Sequence, residues 1–68
     1  MKATYNRYAC LRDAKGYSDY RIAKETGIGT ATISDWKNGL SVPKADKLLL
    51  IARVLDVQME DLFEEVTV

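Results

Sequence analysis

The residues with the clearest capacity for chemistry lie between positions 30 and 38. On a helix there, Ile33 and Trp36 share one face, while Thr30, Ala31, Ser34, Asp35, Lys37 and Asn38 lie outward. The outward set is small or polar and mostly short, unlike the Glu/Lys lattice that covers a helix meeting only water. Short side chains let a helix approach another surface closely. A DNA major groove about 12 Å wide admits such a helix and presents donors and acceptors to its hydroxyls, amides and carboxylates. Catalysis fits poorly. The chain has no histidine and one cysteine, no phosphate-cradling glycine loop and no metal-ligand spacing. No metal, no cofactor and no enzymatic activity are expected. The carboxylate pairs Glu60–Asp61 and Glu64–Glu65 read as solvation of a short terminal helix.

The elements that must position this face follow from the helix breakers. Gly16, Gly27, Gly29, Gly39 and Pro43 read as ends or turns. Between them the spacing predicts five helices and no strand. The first spans about Ala3 to Lys15, with Tyr5, Tyr8, Ala9 and Leu11 as its apolar face and Gly16 as its stop. The second opens at the cap residue Ser18, with Asp19 opposing the helix dipole, and closes at Gly27. The third covers about Thr30 to Asn38. The fourth follows Pro43 to about Leu55 and turns Leu48, Ile51, Ala52 and Leu55 inward. The fifth covers about Met59 to Glu64. The expected fold is all-α, a compact five-helix bundle formed by one domain over residues 1–68.

Residues 18–38 carry the functional argument. Two short helices joined by so few residues must cross steeply. Ala23 is small where the helices approach, and Gly27 occupies a turn whose left-handed backbone suits glycine. Ile33, ten residues after Ala23, points back into the angle, with Ile22, Ile28 and Trp36 beside it. This spacing is what a helix-turn-helix requires.

At this point the chain resembles the Cro/cI-type, or XRE-type, helix-turn-helix proteins, which include phage repressors, plasmid regulators and antitoxins. The matching pieces are Ile22-Ala23, Gly27-Ile28, Thr32-Ile33-Ser34, Trp36, Asn38-Gly39 and Pro43. Leu48-Leu49, Ile51-Ala52, Leu55, Val57 and Leu62 extend the match through the last two helices, so it spans about residues 8–63. The resemblance implies a lambda-repressor-like domain that binds double-stranded DNA and regulates transcription as a repressor. It places the start of the third helix in the major groove, with Thr30, Ala31, Ser34 and Asp35 facing bases. Thr30 and Ala31 suit a thymine methyl, and Asp35 suits a cytosine amino group. Phosphates then fall to Ser18 with the N–H groups of the second helix, and to Lys37, Asn38 and Lys44 with the 39–42 loop backbone.

Four positions depart from the family pattern. Asp19 stands where a phosphate-gripping glutamine is common, and an anion there repels phosphate, so that anchor passes to backbone or to Tyr20. Lys37 stands where a glutamate often pairs with an arginine of the first helix, which leaves Arg12 without that partner and frees Lys37 for DNA. Thr30 and Ala31 replace glutamines that read adenine. Lys44 replaces a serine or threonine cap. The resemblance also implies a homodimer on a palindromic site. The fourth helix is apolar beyond what a core-facing stripe requires, with Leu50 where a solvent-facing residue is expected, so Leu50, Val54, Val57, Met59 and Phe63, within the C-terminal helices 44–64, form a candidate dimer patch. The competing reading has Val66-Thr67-Val68 fold back over that patch. A competing function is a protein-interaction module, such as an antitoxin with weak DNA binding. A toxin or antirepressor partner is compatible with either.

Composition agrees with a folded domain. Apolar residues make up 47% of the 68 and charged residues 29%. A chain this short buries only about 60% of its unfolded surface, so its stability is marginal. The formal net charge is zero, yet residues 1–47 carry nine Lys or Arg against five Asp or Glu, and residues 48–68 carry one against five. Charge is felt over about 8 Å at physiological salt, so a basic end can still meet phosphate; the acidic end equally serves to solvate a surface helix. Cys10 is alone and reads as core filler. With no apolar run long enough for a membrane span and no signal-peptide core, a cytoplasmic protein is expected.

Overall fold

Helix ends in this protein are set by short polar links and left-handed residues. The structure is a computed structural model that describes residues 2–64. In chain order it comprises β1 (Lys2–Ala3), α1 (Tyr5–Ala14), α2 (Asp19–Thr26), α3 (Thr30–Lys37), α4 (Ala45–Leu55), a 3-10 turn (Met59–Leu62) and β2 (Phe63–Glu64). Thr4 caps α1 by accepting from the Arg7 N–H at 3.2 Å, and Ser18 caps α2 by accepting from the Arg21 N–H at 3.1 Å. Three helices close with the paired bonds of a Schellman turn. The long member runs from the Tyr17 N–H to the Arg12 carbonyl at 3.1 Å, from Leu40 to Asp35 at 2.8 Å, and from Val57 to Ala52 at 3.0 Å. The last of these turns is made without glycine, because Asp56 itself adopts φ +56°.

The core is one cluster drawn from all elements. Tyr8, Ile22, Ile33, Ile51, Leu55 and Leu62 are fully enclosed. Ala3, Ala23, Ile28, Trp36, Leu48 and Ala52 complete it, and α4 packs against both α2 and the 3-10 turn. The inward stripe of α4 is the set Leu48, Ile51, Ala52 and Leu55. No helix among the described residues is long and apolar enough to cross a membrane.

The architecture departs from a five-helix bundle at its two ends. Among the described residues there are four α-helices, and the fifth expected helix is a 3-10 turn that gives way to a strand at Phe63. The first helix starts at Tyr5 rather than Ala3, because Lys2 and Ala3 pair antiparallel with Glu64 and Phe63. Phe63 takes an extended backbone, with φ −101° and ψ 146°, where it pairs with β1. The carbonyls of Asp61 and Leu62 accept from Arg7 Nε at 2.9 Å and from the Thr4 N–H at 3.2 Å, which ties this end to the start of the chain. Cys10 is exposed rather than a core residue. It stands two residues from buried Tyr8, about 200° around α1, so it faces away from the core.

Candidate nucleic-acid interface

The angle between α2 and α3 is fixed by small residues and one hydroxyl. Ala23 is 6% exposed in the helix contact, and Ile28, Ile33 and Trp36 are buried around it. Gly27 ends α2 at φ +76°, its N–H donating to the Ala23 carbonyl at 2.9 Å. A side chain at Gly27 would meet open space, so backbone conformation and not crowding favours glycine there. Thr26 latches the turn: its hydroxyl donates to the Ile22 carbonyl at 2.7 Å and accepts from the Ile28 N–H at 3.2 Å.

With α3 held in this way, its other face is open. Thr30, Ala31, Ser34, Lys37 and Asn38 are exposed, and Asp35 is half-buried. Eight residues give α3 a length of about 12 Å. Lys44 and Ser18 are also exposed, although the Ser18 hydroxyl is committed to its cap and Lys44 makes no side-chain cap to α4. Tyr20, 69% exposed, stands with Lys24, Ile28 and Thr30 around a shallow groove where α2 meets α3.

Asp19 does not stand as an isolated anion at the start of α2, and Arg12 is not without a partner. Arg12 Nη1 lies 2.7 Å from Asp19 Oδ1. The Tyr8 hydroxyl donates to the same oxygen at 2.6 Å, and the Tyr5 hydroxyl donates to Oδ2 at 2.7 Å. Arg12 also donates to the Tyr5 hydroxyl at 2.8 Å and pairs with Asp13 at 2.8 Å. The aspartate thus holds the arginine that the sequence pattern left without a partner. Burial pushes the Asp19 carboxyl up, but the bonds from Tyr8, Tyr5 and Arg12 outweigh it and hold the group below the usual carboxylate range. Burial and the bond to Asp19 raise the Tyr8 phenol. A phosphate approaching this end of α2 therefore meets an ion pair and not a lone negative charge.

The cluster's members Tyr5, Tyr8 and Arg12 share one face of α1 at helical spacing, and the acid opens the next helix. That pattern is the signal by which the sequence could have disclosed the cluster. Thr26 gives no comparable signal, because a threonine at a helix end has many uses. Among the described residues, no group of three or more His, Cys, Asp or Glu could hold a metal ion. Residues 11–62 match a family model described as helix-turn-helix. Among curated proteins and among solved structures, none matches the chain.

Proposed function

Since the chain belongs to the helix-turn-helix family of the XRE type and is a DNA-binding regulator, we propose that it is a repressor that reads a palindromic site as a homodimer. In this reading α3 enters the major groove, with Thr30, Ala31, Ser34 and Asp35 toward base edges. The N-terminus of α2 at Ser18, together with Lys37, Asn38 and Lys44, holds phosphates. The observation that carries the reading is the open outward face of α3 beside the exposed Lys37 and Asn38. Tyr20 and Lys24 extend that face along α2.

The dimer rests on α4 and the segment after it. Leu50 is 36% exposed and Leu49, not part of the expected patch, is 41% exposed. Val54, Val57, Met59 and Phe63 are half-buried and already pack on the core, so they offer only edges to a partner. Residues 66–68, which would compete for this surface, lie outside the described residues. Sedimentation at micromolar concentration, with and without duplex, tests the dimer; a monomer throughout would remove it.

Selection of bound duplexes from random sequence tests the whole reading and reports half-site spacing. With about five phosphates neutralised per protomer, and so about ten by the dimer, the logarithm of affinity falls with that of salt at a slope of about −9. Ala31→Glu places a carboxylate against base edges and lowers affinity for the selected site by about 30-fold or more with the melting temperature retained. Unchanged affinity would show that α3 does not enter the groove.

A further inference from the structure

The outer face of α4 has an order that its packing on the core does not require. The helix turns Leu48, Ile51, Ala52 and Leu55 inward. On the opposite side, at about 100° per residue, Asp46 and Arg53 fall within about 20° of each other, and Leu49 and Leu50 flank that line by about 50° on either hand. All four are exposed, the two leucines at 41% and 36%. Among the described residues neither Asp46 nor Arg53 forms an ion pair. Two opposite charges thus stand at equal distances from the midpoint between Leu49 and Leu50, about 5 Å each way along the helix.

Such a stripe complements itself. A two-fold axis passing beside that midpoint, at right angles to the helix, lays a second α4 antiparallel to the first. Asp46 of each copy then faces the partner's Arg53, twice by symmetry, and the leucines of both copies gather at the axis. Packed helices lie about 8–10 Å apart, a gap that facing aspartate and arginine side chains span. A parallel pair would instead set Asp46 on the partner's Asp46 and Arg53 on the partner's Arg53, and like charges oppose it. We propose that the stripe Asp46, Leu49, Leu50 and Arg53 is the surface on which two copies of this chain associate, with their α4 helices antiparallel. The inference rests on the homodimer reading and moves its surface: of the expected patch only Leu50 belongs to the stripe, whereas Val57, Met59 and Phe63 pack on the core. Lys47 lies beside the stripe on the side of Val54, where its stem adds apolar cover and its charge stays in water. Duplex DNA is a poor occupant, because an aspartate and two leucines offer phosphate no donor. No different protein is needed, since one chain supplies both members of each contact.

Charge reversal followed by mixing tests the arrangement. Asp46→Arg confronts the new arginine with the partner's Arg53, and Arg53→Asp confronts the new aspartate with the partner's Asp46, each at two contacts. Sedimentation equilibrium of the full chain is run at about 0.1 M salt, where charges act over about 10 Å. Each variant alone is expected to associate about tenfold or more weakly than the parent. An equimolar mixture of the two is expected to recover the parent's affinity within about threefold, because the mixed dimer restores opposite charges at both contacts. Leu50→Lys, at an exposed helix position, is expected to weaken association about tenfold or more with the circular dichroism retained, and it decides the matter if a reversed chain does not fold. A parent that stays monomeric at micromolar concentration, with and without duplex, would remove the stripe and the homodimer reading together. A dimeric parent whose association survives Leu50→Lys, or whose reversed variants do not recover on mixing, overturns the stripe alone and leaves the homodimer to another surface.

Discussion

Replacing Asp19 by alanine should remove the tie between α1 and the start of α2, at a cost that the structure lets one work out. The Tyr8 residue is fully buried, and its hydroxyl donates to Asp19 at 2.6 Å. Leaving that hydroxyl without an acceptor costs about 1–3 kcal/mol. The ion pair adds less, because the Asp19 side chain is 34% exposed and Arg12 keeps Asp13; solvent screening limits this part to about 0.5–1 kcal/mol. The lost negative charge at the first turn of α2 adds about 0.3–1 kcal/mol. The total is about 2–5 kcal/mol, against roughly 3–10 kcal/mol for a whole domain of this size. The melting temperature, followed by circular dichroism, should fall by about 8–40 °C. Asp19→Asn keeps an acceptor oxygen and should lose about half as much. The pH dependence carries a sign. The folded Asp19 carboxyl titrates below its unfolded value, so its contribution is complete above about pH 4 and fades as pH falls through the folded value. The parent should therefore lose more stability on acidification than Asp19→Ala. A variant melting within about 3 °C of the parent, or equally acid-sensitive, would refute this account of the cluster.

Three further outcomes are expected. Trp36→Ala removes a side chain stacked on Tyr8 at 5.1 Å and set edge-on to Tyr5 at 6.0 Å, so it should cost about 3–5 kcal/mol. A native-like melt would contradict the role of Trp36 in the core. Lys44→Ser should stabilise the protein by about 0.5–1 kcal/mol by giving α4 the side-chain cap it lacks, measured as a shift in the urea midpoint. Asp56→Gly should stabilise by up to about 1 kcal/mol, since Asp56 holds φ +56° at the end of α4 and glycine adopts that backbone without strain.

Local rules account for much of the fold. The breakers Gly16, Gly27, Gly39 and Pro43 and the cap Ser18 are legible because a turn or cap depends on a residue and its near neighbours. The inward stripe of α4 is legible because one periodicity decides which side chains face the core. The open side of α3 follows from the same logic, since fixing Ile33 and Trp36 inward leaves Thr30, Ala31 and Ser34 outward.

The sequence by itself therefore determined the helical plan, the tight turn at Gly27 and the polar skin of α3, all of which act over a few residues. Tertiary structure alone decided how distant groups meet. It turned Asp19 toward Arg12, Tyr5 and Tyr8, where the local pattern had left an exposed anion and an unpaired arginine. It also drew Phe63 and Glu64 out of helix to pair with Ala3 and Lys2, with Arg7 and the Thr4 amide bonding the Asp61 and Leu62 carbonyls beside them. Bonds across more than 50 residues leave no periodicity in the chain. They are chosen only when packing of the core brings its two ends together.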